Sequence, residues 1–265
     1  MKPDESTRSL SLPEDAPHNT ALYVYSVVIP FYNEEVAVPS LLQEVLAVLA
    51  RLDGPSECLC VDDGSSDGTA TVLNNFAAQP DSPVRVIAFP QNRGQAAALW
   101  AGLHEARGRI VITLDGDGQN DPADIPDLLG HLNHADLVCG IRAERNDTAL
   151  RRAMSRLANR VRGTILGDNM RDSGCALKVM RREVVQALLP IRTLYSFIPA
   201  LAVAGGFRIA EIPVHHRARN GGRSNYGFLK FALMPFVDML GLYWFRKRCV
   251  RTRDGVRSQP LAVPQ

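Results

Sequence analysis

Several signatures of common protein classes are missing from this 265-residue sequence. It has no G-x-G-x-x-G after its first predicted strand and no G-x-x-x-x-G-K-[ST], which argues against a dinucleotide-binding Rossmann site and a P-loop. Its five cysteines form no C-x-x-C pair, and four lie in or near apolar runs. We therefore expect reduced core cysteines of a cytosolic protein, not disulfides or zinc ligands.

Long apolar runs are scarce as well. Residues 1–20 are polar and contain acids and prolines but no apolar h-region. They are predicted to be a disordered tail and not a signal peptide. A second disordered tail, which is basic, is predicted over residues 249–265.

The single membrane candidate is the apolar stretch 228–245. A span needs about 20 apolar residues, and Lys230, Pro235 and Asp238 interrupt this stretch. Three basic residues follow it directly, which suits anionic lipid. We predict an amphipathic membrane-interface helix over residues 226–248. Packing in a core or in a dimer interface is the alternative.

The net charge of +2 conceals a strong asymmetry between the two halves. Residues 1–133 carry 7 Lys/Arg and 19 Asp/Glu, a balance of −12, whereas the remainder carries 23 and 9, a balance of +14. An acidic half and a basic half indicate a bound cation on one side and an anionic partner on the other. Nucleic acid and an anionic lipid or membrane surface are both partners of that kind.

The apolar pattern alternates between short β-branched runs and helical segments. Strands are predicted at 22–30, 58–61, 84–89, 110–114 and 136–139, and helices at 35–52, 69–78, 96–106 and 124–132. This alternation predicts an α/β fold, a Rossmann-like mostly parallel sheet flanked by helices, over residues 21–225. The loops that open the helices then gather at one edge of the sheet, where ligands of such sheets bind.

Two acidic clusters follow predicted strands. Asp115 and Asp117 come directly after the central run 110–114, and Gln119 adds a third oxygen. Like charges this close favour a hard cation such as Mg²⁺ or Mn²⁺ that also binds substrate phosphates. An Asp-Gly turn with solvated acids is the alternative. Asp62 and Asp63 follow the second strand, where they can accept hydrogen bonds from a base or ribose, or cap the next helix.

Four ordered motifs carry a family resemblance: VVIPFYNEE, VDDGSSDGT, NRGQAAAL and LDGDGQNDP. Their order and spacing resemble family 2 glycosyltransferases of the GT-A fold. Later segments resemble the polyprenyl-phosphate (dolichyl- or undecaprenyl-phosphate) branch: GIRAERN, RRAMS, MRDSGCALKVMRR and RARNGGRSNYG. The match spans about residues 23–245. A Q-x-x-R-W motif is missing, which argues against a processive polysaccharide synthase.

The resemblance implies roles for individual residues on the donor side. The nucleotide would be held by Pro30, Tyr32, Asn33, Glu34, Asp62, Asp63 and Asp115. The metal would be held by Asp115, Asp117 and Gln119, and Asp117 is assigned to catalysis. The expected cofactor is Mg²⁺ or Mn²⁺, which as a Lewis acid neutralises the charge of a diphosphate leaving group. Asn33 is also predicted to cap the helix 35–52.

The basic half is predicted to bind the acceptor phosphate. Arg151 and Ser155 lie four apart on a predicted helix, so a guanidinium and a hydroxyl share one face. A solvated basic helix face is the alternative. The family pattern Arg-x-x-Gly-x-Ser falls on Arg219 and Ser224, and Arg142 follows the fifth strand. Arg151, Arg219 and Asp172 complete the predicted catalytic set, Asp172 matching a family acid near the acceptor.

The resemblance and the charges together predict an inverting, metal-dependent enzyme at the cytoplasmic face of a membrane, held peripherally. It would move a sugar from a nucleotide-sugar (UDP or GDP) to a polyprenyl phosphate, with a membrane surface but no nucleic acid as partner. Two alternatives stay open: the same fold with a glycan or protein acceptor, and a non-catalytic binding protein for nucleic acid or acidic lipid. A homo-oligomer is left open too.

Overall fold

The computed structural model describes residues 23–142, 162–217, 237–244 and 247–248. The first half comprises β1 (Tyr23–Phe31), α1 (Val38–Leu49), β2 (Ser56–Asp62), α2 (Thr69–Ala77), β3 (Val84–Ala88), α3 (Gln95–Glu105) and β4 (Gly108–Thr113). Next come a 3-10 turn (Pro122–Asp124), α4 (Ile125–Gly130), a second 3-10 turn (His131–Asn133), β5 (Leu137–Arg142), β6 (Lys178–Arg181), the helices Arg182–Gln186 and Leu194–Ala204, and β7 (Ile209–Val214).

The strands form one seven-stranded sheet in the order β3-β2-β1-β4-β6-β5-β7. Only β6 runs antiparallel to its neighbours, so the predicted mostly parallel sheet is confirmed. The strand β4 lies in the middle, as the sequence predicts for its apolar run. Beyond β4 on the basic side the sheet continues with β6, β5 and β7. The sequence predicts β5 but not β6 or β7.

Apolar side chains fill both faces of the sheet. On one face Val27 packs within the cluster that includes α1, α2 and α4. On the other face Val28 packs with α3 and the helix Leu194–Ala204. Alternate residues of one strand therefore enter opposite cores, as expected for a strand covered on both sides. This packing fixes the carboxyl ends of β1, β2 and β4 along one edge.

The boundaries of the first helix differ from the prediction. The helix α1 begins at Val38, not at residue 35, and its cap position Ala37 has no side-chain hydrogen bond. The prediction that Asn33 caps this helix is wrong. Asn33 instead adopts φ of +55° and its Oδ1 accepts a hydrogen bond from the Ser66 N–H (2.8 Å). Its amide therefore orders the loop after β2 and does not start α1.

The predicted tails 1–20 and 249–265 lie outside the described residues, as do residues 226–236 of the predicted interface helix. In the described part of the chain, no helix has the length and apolar character needed to cross a bilayer. Cys58, Cys60, Cys139 and Cys175 are buried and free, as predicted.

Candidate active site

The two carboxylates after β4 lie at the carboxyl edge of the sheet. Gln95, the first residue of α3, donates a hydrogen bond from Nε2 to Asp115 (2.6 Å). Burial, together with the negative charge of Asp117, raises the pKa of Asp115 to about 6. Both effects disfavour the ionised form of Asp115 beside the charged Asp117. A bound cation would remove the repulsion, so the pair fits a divalent metal.

The number of acidic ligands also fits a metal shared with a substrate. Among the residues that the structure describes, no three His, Cys, Asp or Glu side chains form a cluster that could hold a metal ion. Mg²⁺ is usually bound in enzymes by one or two carboxylates together with substrate phosphates and water. Asp115 and Asp117 match that pattern better than a closed protein site.

Gly116 sets the distance between this loop and the end of β1. A Cβ on Gly116 would lie 2.5 Å from Phe31 Cδ1 and 2.7 Å from the Pro30 carbonyl oxygen. Only glycine permits this approach, which brings Asp115 and Asp117 beside the predicted nucleotide-binding segment of β1.

Replacing Gly116 with alanine is therefore expected to destabilise the fold and to displace both carboxylates. Overpacking at a buried contact costs about 1–3 kcal/mol. Urea unfolding of Gly116→Ala should show that loss, and Gly130→Ala is the control because a Cβ at Gly130 meets nothing within 4 Å. Unchanged stability of Gly116→Ala would contradict the close approach.

The loops after β1 and β2 are joined by hydrogen bonds from backbone N–H groups to side-chain hydroxyls. The Asn33 N–H donates to Ser65 Oγ (3.0 Å), and the Glu34 N–H donates to Thr69 Oγ1 (2.9 Å). Glu34 is buried, Pro30 is buried in β1, and Tyr32 is 37% exposed beside them. The four predicted nucleotide-binding residues of the β1 segment thus lie together at the edge, and their role stays a prediction.

Asp62 and Asp63 are buried and already have hydrogen-bond partners. Asp62 accepts from the backbone N–H (3.1 Å) and the hydroxyl of Ser65.

Asp63 accepts from Asn92 Nδ2 (3.0 Å) and from the N–H groups of Arg93 (2.7 Å) and Gly94 (2.9 Å). Burial raises the pKa of Asp63, and the Arg93 and Gly94 N–H groups oppose that rise. Asp63 therefore orders the loop before α3, a role that differs from the predicted capping of the next helix. Contact of either acid with a nucleotide stays a prediction.

The loop after Asp117 is tied to the end of β7. Gln119 N–H donates to Asp117 Oδ1 (3.1 Å), and the Gln119 carbonyl accepts from the Arg217 N–H (2.8 Å). The side-chain nitrogen of Gln119 lies 3.5 Å from His216 Nε2. Arg217 also pairs with Glu44 and with Asp121 at 2.6 Å each. Metal binding by Gln119 stays a prediction, and the anchoring by Arg217 was not foreseen because it needs β7.

Arg142 and Asp172 form a two-pronged ion pair at the end of β5. Arg142 donates from Nε to Asp172 Oδ2 (2.7 Å) and from Nη2 to Oδ1 (2.8 Å). Asp172 is buried and raises the pKa of Arg142 by this hydrogen bonding. The positive charges of Lys178 and Arg142 partly offset the rise in the pKa of Asp115, so Arg142 acts electrostatically on this carboxylate after β4. Sequence alone gave no reason to couple Arg142 with Asp172.

The remaining predicted acceptor residues cannot be placed. Arg151, Ser155, Arg219 and Ser224 lie outside the described residues, and their roles stay predictions. The described residues of the predicted site therefore comprise the carboxyl edge of the sheet and one arginine of the basic side.

Known proteins similar to this chain agree on one family. The family model described as Glycosyl transferase family 2 matches residues 26–189. Undecaprenyl-phosphate 4-deoxy-4-formamido-L-arabinose transferase of Shewanella sediminis (strain HAW-EB3) is 41% identical over 224 residues, covering 84% of this chain and 67% of that protein. The protein of the same name from Enterobacter sp. (strain 638) is 39% identical over 211 residues, covering 79% and 64%. The chain thus spans about two thirds of the length of these relatives.

Solved structures with the same architecture include glucosyl-3-phosphoglycerate synthase from Mycobacterium tuberculosis. Its complex with Mn²⁺, uridine diphosphate and glucosyl-3-phosphoglycerate has a TM-score of 0.61 at 20% identity, and the match covers 87% of this chain and 82% of that one. At this identity the likeness shows the fold alone.

Proposed function

The chain belongs to glycosyl transferase family 2, and from that premise we propose that it transfers a sugar from a nucleotide-sugar donor to a polyprenyl phosphate. The family membership and the GT-A fold predicted from the motifs are confirmed. The observation that carries the proposal is the Asp115–Asp117 pair at the end of the central strand, beside the ordered loops of β1 and β2.

On the donor side the chain supplies a pair of carboxylates for a cation and an ordered loop before α3. Asp115 and Asp117 would hold Mg²⁺ or Mn²⁺, which supplies positive charge to the departing nucleoside diphosphate. Gln95 orients Asp115 through its 2.6 Å hydrogen bond. Asp63 holds the loop that leads into α3, so the position of Gln95 is fixed from two sides.

The names of the relatives and the charge of a phosphate monoester both support a polyprenyl phosphate as the acceptor. The relatives in Shewanella and Enterobacter are named as undecaprenyl-phosphate transferases. A phosphate monoester has its second pKa near 6, so its oxygen is already anionic at pH 7. Such a nucleophile needs orientation by arginines more than a general base. Direct attack on the anomeric carbon inverts its configuration and needs no covalent enzyme intermediate.

The decisive experiment is a donor panel with a short polyprenyl phosphate, analysed by mass spectrometry of the lipid product. UDP-linked 4-deoxy-4-formamido-L-arabinose is the first donor to test, because the relatives carry that sugar in their names. UDP- and GDP-hexoses complete the panel, each with and without Mg²⁺ or Mn²⁺. We expect a lipid phosphosugar from at least one donor.

Two further acceptors serve as controls in this experiment. 3-Phosphoglycerate tests a soluble phosphate acceptor, and a prenyl alcohol tests whether the phosphate is needed. Transfer to 3-phosphoglycerate with none to any prenyl phosphate would overturn the proposed acceptor while keeping the family chemistry.

Residues 237–244 support a peripheral membrane location. They are helical, and Val237, Leu240, Tyr243 and Trp244 expose apolar surface. Lys247 Nζ lies 4.7 Å from the ring centroid of Tyr243, and the Arg248 guanidinium lies 5.0 Å from that of Trp244. Aromatic rings beside basic groups suit the boundary between acyl chains and anionic headgroups.

Replacing Leu240 and Trp244 with aspartate is expected to release the protein from vesicles. Each large side chain that leaves water contributes about 1.5–3 kcal/mol to binding. Co-sedimentation with anionic vesicles should fall about tenfold or more for Leu240→Asp/Trp244→Asp. The control is Val36→Asp, which changes an apolar side chain that is 76% exposed elsewhere. Equal losses for both variants would contradict a specific membrane face.

A further inference from the structure

A cavity of about 740 Å³ lies beside the candidate active site. One wall is the face of α3 that carries Ala97, Trp100 and Ala101, and the opposite wall includes Pro190 and Ile191. The volume falls within the range of small-molecule sites, roughly 300–1,000 Å³. The two alanines lie four apart on one helix face with Trp100 beside them, so short side chains leave this space open.

A polar lining residue of the cavity reaches the catalytic edge. Gln95 lines the cavity and donates its hydrogen bond to Asp115. Arg93 and Arg192 also line it, and the Arg93 guanidinium lies 5.4 Å from the ring centroid of Phe89. Apolar walls with arginines and a link to the carboxylates complement a molecule that has an apolar chain and an anionic head.

The cavity is also joined to the exposed helical segment 237–244. Thr193 lines the cavity, and its hydroxyl donates a 2.6 Å hydrogen bond to Asp238 of that segment. The same segment exposes Leu240 and Trp244. The cavity therefore lies between the catalytic edge and the surface proposed to contact lipid.

We infer that this cavity holds the part of the acceptor's isoprenoid chain that lies next to its phosphate. The inference rests on the proposed function and deepens it, because it assigns the α3 face and residues 190–193 to recognition of the acceptor's chain. Binding there orients the phosphate oxygen toward the donor without contact between these residues and the reacting atoms.

Trp100 provides a direct test of occupancy. The chain has two tryptophans, Trp100 and Trp244. In Trp244→Phe the emission therefore comes from Trp100 alone. Titration with farnesyl phosphate should change that emission to saturation, whereas inorganic phosphate should leave it unchanged. An unchanged Trp100 emission, in a protein that does use farnesyl phosphate as acceptor, would overturn the inference and keep the proposed function.

Filling the cavity tests whether occupancy matters for transfer. Ala97→Leu/Ala101→Leu adds bulk to a helix face at little cost in helix propensity. We expect kcat/KM for farnesyl phosphate to fall about tenfold or more, because the added side chains occupy the space of the chain. With dimethylallyl phosphate, which carries a single isoprene unit, the loss should be several-fold smaller. Asn75→Leu on exposed α2 is the matched control.

A second variant guards against misfolding. Ile191→Asp places a charge on the opposite wall and should also raise the half-saturating concentration of farnesyl phosphate about tenfold. Equal losses on both acceptors, or no loss in either variant, would overturn the inference. Saturable binding at Trp100 without transfer to any prenyl phosphate would instead overturn the proposed function. If a segment of the chain itself fills the cavity, farnesyl phosphate will not reach Trp100 and both variants will lower the melting temperature, which also overturns the inference.

Discussion

Asp117→Asn is expected to lower kcat/KM by about a thousandfold or more. Positive charge at a departing diphosphate supplies several kcal/mol, and each 1.36 kcal/mol changes the rate tenfold. Asparagine keeps an oxygen for the Gln119 N–H, which lies 3.1 Å from Asp117 Oδ1, so the loop retains its internal hydrogen bond. The loss then reports the missing charge and not a collapsed loop.

The control and a second readout make this result specific. Asp127→Asn changes an acid whose side chain is 68% exposed in the same part of the chain, and it should be nearly as active as the unsubstituted protein. EDTA should abolish the activity of the unsubstituted protein, and Mg²⁺ or Mn²⁺ should restore it. Mn²⁺ should also strengthen binding of the nucleotide product, an effect that Asp117→Asn should lose. Full activity of Asp117→Asn in EDTA would remove Asp117 from the site.

The sequence predicts the acidic half of the molecule well, because local pattern determines it there. The run after Arg109 is apolar on both faces, and it forms the central strand as predicted. The Asp115–Asp117 pair follows from the end of that strand, since the carboxyl edge of a parallel sheet collects such loops. The motifs also identify the family, which the comparisons confirm.

Residues that depend on distant partners could not be predicted in the same way. Asn33 looks like a helix cap because it precedes an apolar period, but its side chain instead binds a residue 33 positions away. Similarly, Asp63 holds a loop about 30 residues later. The strand β6 has four residues and runs antiparallel inside a parallel sheet, so no periodicity indicates its place. The placement of Arg217 against Gln119 and Asp121 depends on β7, which the sequence does not predict either.

The ion pair of Arg142 with Asp172 is expected to act as one unit in catalysis. The family resemblance places Asp172 in the predicted catalytic set, as a match to a family acidic residue near the acceptor. In the structure it is 4% exposed and accepts from Nε, Nη2 and the backbone N–H of Arg142. A carboxylate whose two oxygens already bind one guanidinium is suited to positioning that guanidinium, which is predicted to bind the acceptor phosphate.

A double-mutant cycle separates positioning from direct catalysis. A hydrogen bond to a charged group contributes about 1.5–3 kcal/mol, so Arg142→Met should lower kcat/KM for the acceptor roughly tenfold to a hundredfold. Asp172→Asn should cost a similar factor, because the loosened guanidinium no longer holds its direction. If Asp172 works only through Arg142, Arg142→Met/Asp172→Asn will be no less active than Arg142→Met alone.

Folding stability provides the check on this cycle. Removing Arg142 alone leaves Asp172 buried without its cation, which costs about 3–5 kcal/mol in fully buried pairs and less here, because the Arg142 side chain is 21% exposed. The double variant removes both charges and should regain part of that stability in urea unfolding. Losses in kcat/KM that multiply in the double variant would mean that Asp172 contacts the substrate itself. In that case the role implied by the family resemblance would stand and the positioning role would be wrong.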